Sequence, residues 1–317
     1  MIKHTLGALA LGFGAACAQA ANPIVTNMFT ADPAALVDQG RVYLYVGHDE
    51  APEGGKDYLM NEWRVYSSCD MQRWTDHGSP LRFSTFAWAG RDAWAGDVVK
   101  RDGKFYFYST VDHKTIAGKA IGVAVSDSPT GPFVDARGSA LITNDMTKQS
   151  PILWDDIDPG VFVDDDGQAW LYWGNTVLKY AKLKRSMKEL DGPIMSHAIP
   201  DFTEAPYVHK RGKTYYLTYS RFFPEETVYA TSMSPAGPWT FQGVVMDKNV
   251  GVKTIHQAII DFNGKSYIFY HNAKLKGGGE FRRSVAVEEL QYEKDGRIKF
   301  AAQTADGPKA NPTGACK

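Results

Sequence analysis

The sequence has little cysteine, no surplus of either charge and no long apolar run, and each shortage argues against a class of protein. Three cysteines stand among 317 residues, at positions 17, 69 and 316. That is too few for a disulfide-built scaffold or a cysteine-based metal site. Lys plus Arg number 35 against 36 Asp plus Glu, so no basic excess exists to neutralise phosphates or anionic head groups; neither nucleic acid nor a membrane surface is expected as a partner. The apolar run at residues 6–16 is shorter than the roughly 20 residues of a spanning helix. It follows a short basic start and precedes Ala18-Gln19-Ala20, the pattern of a secretory signal peptide over residues 1–20. The mature chain is then expected in the periplasm or outside the cell. In such an oxidising compartment Cys69 and Cys316 either form one disulfide tying the tail to the body or remain two free thiols. No Gly/Ser or Pro-rich linker divides the rest, so a single domain over 21–300 is expected, with 301–317 as a tail draped on the surface.

What the chain does have is aromatic residues and glycine: 8 Trp, 16 Tyr, 16 Phe and 30 Gly. This mixture favours strands and tight turns. A glycine turn followed by an aromatic-rich strand recurs five times, as Gly40-Arg-Val-Tyr-Leu-Tyr, Gly103-Lys-Phe-Tyr-Phe-Tyr, Gly167-Gln-Ala-Trp-Leu-Tyr, Gly212-Lys-Thr-Tyr-Tyr-Leu and Gly264-Lys-Ser-Tyr-Ile-Phe, with spacings of 63, 64, 45 and 52 residues. A short apolar strand precedes each copy, and several copies are followed by a second hairpin. Four strands in such a unit is the size of a propeller blade. The expected fold is therefore all-β, a five-bladed propeller. A β-sandwich or a jelly roll is the alternative, but neither explains five similar hairpins.

The first strand of a blade lines the central channel. Counting back eight or nine residues from each repeat glycine gives Asp32, Ala95, Asp158, Glu204 and His256. Any one of these acids alone reads as an exposed turn residue. Three at one repeat position read as a cluster at the axis, and carboxyls that converge away from water cannot all ionise freely, so their pKa values separate. One site then supplies both an acid and a base, as glycoside hydrolysis requires.

At these residues the chain resembles glycoside hydrolase family 43. The resemblance rests on Thr30-Ala-Asp-Pro, Trp94-Ala-Gly-Asp-Val, Ile157-Asp-Pro-Gly-Val-Phe, Thr203-Glu-Ala-Pro-Tyr-Val and Arg283-Ser-Val-Ala-Val, in that order along the chain. It implies a five-bladed propeller that hydrolyses with inversion, with Asp32 as general base, Glu204 as general acid and Asp158 orienting the acid and keeping its pKa high. It further implies that Arg283 reaches the substrate; the alternative is a solvated charge beside Arg282. Trp94 is expected either to wall the sugar pocket or to pack between blades. His256 is expected either as a hydrogen-bonded structural residue or as a ligand, through water, of a central calcium ion.

The segments Gly47-His-Asp-Glu and Tyr66-Ser-Ser-Cys-Asp-Met-Gln-Arg-Trp look most like the family's β-xylosidases. The expected substrate is a xylo-oligosaccharide cleaved from its end, with α-L-arabinofuranosides as a side substrate. A dedicated arabinofuranosidase and an exo-galactosidase follow as alternatives; a sugar-binding propeller without catalysis is the alternative of another class, and it predicts the loss of an axial acid. The chain ends without the C-terminal sandwich that closes the pocket in some xylosidases, so closure is expected from loops or from a partner subunit.

Overall fold

The computed structural model describes residues 22–147, 152–249, 251–314 and 316. The expected signal peptide lies outside the described residues. Five antiparallel sheets follow one another along the chain. The first blade is built on Thr30–Asp38, Arg41–His48 and Glu62–Ser68. The second is built on Gly96–Arg101, Lys104–His113 and Lys119–Ser126, and the third on Gly160–Val163, Ala169–Trp173 and Leu178–Leu183. Phe202–Arg211, Thr214–Arg221, Glu226–Ser232 and Thr240–Met246 make the fourth, and Ala258–Phe262, Lys265–Asn272 and Ser284–Leu290 the fifth. Among the described residues the only helical turn is Phe83–Thr85. Among the described residues no helix is long and apolar enough to cross a membrane.

The five glycine turns join the first two strands of each blade, and Gly40, Gly103, Gly167, Gly212 and Gly264 all have positive φ, the conformation that glycine adopts without steric cost. The aromatic strand after each turn is flanked on both sides by other strands of its blade. Its alternate side chains therefore face the two neighbouring blades. The core is accordingly five separate layers, one between each pair of adjacent blades. Trp63 and Phe107 meet between blades one and two, Tyr108 and Trp173 between two and three, Tyr172 and Tyr219 between three and four. Burying each such side chain contributes about 1.5–3 kcal/mol.

The ring closes where the chain's two ends meet. Ile24 donates its backbone N–H to Val285 O, and Thr30 to Arg283 O, at 2.8 and 2.9 Å. The first described residues thus cover the outer strand of blade five. The tail does more than drape over the surface: Asn311 bonds the backbone of Asp70 in blade one and that of Phe262 in blade five. Cys69 and Cys316 are joined as a disulfide with a Cα–Cα distance of 5.7 Å. Of the two states open to these cysteines, the structure shows the bonded one.

Candidate active site

The axial residues leave their ladders by one local device. Asp32 and Asp158 each precede a proline, each adopts a left-handed backbone (φ 51° and 59°), and so does Ala205 before Pro206 (φ 55°). The register of the blade-one and blade-four inner strands shifts at the same points. Such a bulge turns a side chain out of the sheet. Aligned on the prolines, Glu204 stands one residue earlier than the two aspartates, and its longer side chain approaches the axis from a different backbone position. The freed N–H groups are satisfied by the preceding blade: Asp32 N–H donates to His271 Nδ1 (3.2 Å), Asp158 N–H to Thr110 Oγ1 (3.1 Å) and Ala205 N–H to Asp158 Oδ2 (3.1 Å). The last bond ties Asp158 to the residue after Glu204, a geometry that orients the glutamate.

Asp32, Asp158, Glu204, Trp94 and Arg283 line one cavity of about 400 Å³. His256 stands behind its wall, with Nδ1 3.7 Å from Asp158 Oδ2, beyond hydrogen-bond distance. The mouth is framed by the exposed rings of Trp154 and Phe223 and by Tyr58, all from connecting segments. A second hollow, of about 910 Å³, adjoins it and shares Tyr58, Trp94 and Trp154 as walls.

The two sides of the cavity differ in charge. On one side Arg283 is buried, and its guanidinium forks onto Asp49 through Nε and Nη2, both at 2.9 Å, while Nη1 donates to Asp32 Oδ1 at 2.9 Å. Nη2 also contacts Met60 Sδ at 3.4 Å. Of the five guanidinium hydrogens, one on Nη1 is left to meet a ligand. Arg283 is therefore no solvated charge. Burial alone would push the Asp32 carboxyl up, but Arg283 and His271 outweigh it and hold Asp32 well below the usual carboxylate range.

On the other side no cation of the described residues lines the cavity among the carboxyls. Burial, with the charge of Asp32 adding to it, pushes Glu204 up to about 7, against a hydrogen bond from Asn175 Nδ2 to Glu204 Oε2 at 2.7 Å. Asp158 is raised well above the usual range by burial and then by the charges of Glu204 and Asp32. Orientation through Ala205 is the part of its expected role that the geometry displays.

Trp94 is held on its edge by a hydrogen bond from Nε1 to Tyr58 O (3.2 Å), and Lys119 Nζ lies 3.4 Å from its ring centre. The ring is a fixed partition between the two hollows. It also packs against the core between blades one and two.

His256 is half-buried, and desolvation lowers its pKa to about 4, so a ring lone pair is available at neutral pH. One nitrogen is a small donor set for calcium, a hard ion that prefers six to eight oxygens. The form that these donors admit is a hydrated ion resting on that single nitrogen. The one three-residue group of metal-ligand type among the described residues is elsewhere, at His48, Glu50 and Glu62, where Arg64 and Arg82 already neutralise Glu62.

Sequence reasoning missed Asp49, His271, Asn175 and Glu225. Asp49 lies in the Gly47-His-Asp-Glu segment, and His271 closes a repeat strand in which Thr110 is its counterpart. Both carried a positional signal. Asn175 and Glu225 sit in connections of no fixed register.

The profile of Glycosyl hydrolases family 43 matches residues 20–298. The Xylosidase/arabinosidase 43A of Humicola insolens is 32% identical, covering 87% of this chain and 98% of the relative. A Xylosidase/arabinosidase of Bacteroides ovatus is 33% identical, covering 87% and 95%. Among solved structures, a family 43 β-xylosidase/α-arabinofuranosidase from a compost microbial metagenome, in complex with xylotriose and in calcium-free form, matches with a TM-score of 0.80 at 32% identity, over 89% of this chain and 97% of that one.

Proposed function

The chain belongs to glycosyl hydrolases family 43 and is a glycosidase, and from that premise we propose that it is a secreted, inverting exo-β-1,4-xylosidase with α-L-arabinofuranosidase side activity. The observation that carries the reading is the asymmetry of the cavity. Asp32, held well below the usual carboxylate range, faces Glu204, pushed up to about 7, and the two come from non-adjacent blades.

Inversion needs a base that activates water on one face of the sugar and an acid that protonates the leaving oxygen on the other. Asp32 takes a proton from water as the water oxygen bonds to the anomeric carbon. The glycosidic C–O bond breaks, and the proton of Glu204 passes to the departing oxygen. Asp158 keeps Glu204 in place through Ala205 N–H, and the free Nη1 hydrogen of Arg283 is positioned for a sugar hydroxyl. Trp94 supplies an apolar wall for the ring. Exo action is supported by the shape: a small cavity closed by loops takes one terminal sugar, while the adjoining hollow takes the remainder of a short chain. The relatives named xylosidase/arabinosidase, and the neighbour holding xylotriose, support the substrate class. Secretion rests on the pattern at residues 1–20 and agrees with the disulfide.

The test is hydrolysis of p-nitrophenyl β-D-xylopyranoside and of the α-L-arabinofuranoside, with the first-formed anomer of xylose followed by NMR. Turnover of both, faster on the xyloside and giving α-xylose first, is expected. No turnover of either with retained sugar binding would favour the binding propeller, and β-xylose first would overturn inversion. A rate unchanged after exhaustive EDTA treatment would show that a calcium ion on His256 is not required.

A further inference from the structure

Glu225 is the one buried carboxyl of the cavity wall to which the mechanism gives no task. It follows strand Thr214–Arg221 in blade four, and its side chain is 1% exposed. Its backbone N–H donates to Lys253 O (2.7 Å), and Oε2 accepts the N–H of Ile255 (2.8 Å), so its position is fixed from blade five. Oε1 is buried and accepts no hydrogen bond from any donor among the described residues. It shares the cavity wall with Glu204, whose carboxyl is the charged group that acts on it most strongly. Two carboxyls thus stand together on one wall, and Glu225 Oε1 has no donor among the described residues. Such a pair is repulsive when both groups are ionised and becomes a strong hydrogen bond when they share one proton.

We propose that Glu225 is a positioning residue for the acid step: it shares one proton with Glu204, so that a protonated carboxyl is kept at the leaving oxygen. The proposal rests on Glu204 being the general acid. The charged groups facing the pair are Asp158 from blade three and, across the cavity, Asp32 and Arg283. Only Arg283 is a cation, and it is clamped between Asp49 and Asp32. Among the described residues that line the cavity, none on the pair's own side therefore neutralises a second negative charge. The two glutamates titrate as a unit, and losing the shared proton, not a proton private to Glu204, ends activity on the alkaline side.

The experiment is the pH dependence of kcat/KM for wild type, Glu225→Gln and Glu225→Asp on an aryl β-xyloside with a poor leaving group. Gln preserves the acceptor for Ile255 N–H and removes the charge. Without a neighbour that can ionise, Glu204 gives up its proton earlier, so the alkaline limb of Glu225→Gln moves down by about one pH unit, which is about a tenfold greater loss from its own plateau at high pH. Glu225→Asp retains a carboxyl, and its limb falls between the two. An alkaline limb in Glu225→Gln at the wild-type position overturns the proposal, as does a limb in Glu225→Asp displaced as far as that of Glu225→Gln, since side-chain size and not charge would then be responsible. Either result with an active wild type removes only the role of Glu225, whereas a wild type inactive on both glycosides removes the functional reading itself.

Discussion

The two walls of the cavity are made of the same material, carboxyls gathered near the propeller axis, yet their surroundings push the two facing groups in opposite directions, Asp32 down and Glu204 up. The Asp32 wall has a buried arginine, a histidine and a second aspartate; the Glu204 wall has Asn175, Glu225 and Asp158, and no cation. Burial pushes Asp32, Asp158, Glu204 and Glu225 in the same direction, so the difference is made first by the guanidinium of Arg283, with His271 adding to it. An acid and a base at one pH come from where the cation is placed, and the bidentate grip of Asp49 places it.

The largest change should follow removal of the charged wall's working group. Asp32→Ala is expected to lower kcat by roughly 10²–10⁴-fold, and by the same factor on good and poor leaving groups, because water has lost its base in both cases. A steady-state comparison on two aryl xylosides checks this; a loss confined to one of them would contradict it. A smaller effect is expected one residue further back. Asp49→Ala leaves Arg283 with Asp32 as its sole carboxylate partner, and breaking a buried pair from one side costs about 3–5 kcal/mol. Urea unfolding should show that loss, with kcat falling less than in Asp32→Ala. A variant as stable as wild type would mean that the grip of Asp49 is not what holds the guanidinium.

The same contrast separates what was legible in the sequence from what was not. Asp32, Asp158 and Glu204 could be found because the glycine turn recurs and counts eight or nine residues back to the axis in every blade. The recurring Tyr and Trp of the second strands could be read as inter-blade packing for the same reason, and Trp173, Tyr172 and Tyr219 are fully buried there. Arg283 could be placed near the site, but not the reason it stays there, because Asp49 comes from a connecting segment more than two hundred residues away in the chain. Glu225, Tyr58, Phe223 and Trp154 also lie on connections, where no strand period fixes which way a side chain points. The one-residue offset of Glu204 relative to the two Asp-Pro positions is a backbone bulge, and a bulge is set by how the strands pair.

The central claim is that Glu204, on the uncharged wall, gives the proton to the leaving group. It is tested most directly by the kcat/KM of Glu204→Ala across a series of aryl β-xylosides of graded leaving-group acidity. A steep dependence is expected, with near-normal rates on the most acidic phenols, which need little protonation, and severe loss on the least acidic. An equal loss across the whole series would contradict the assignment.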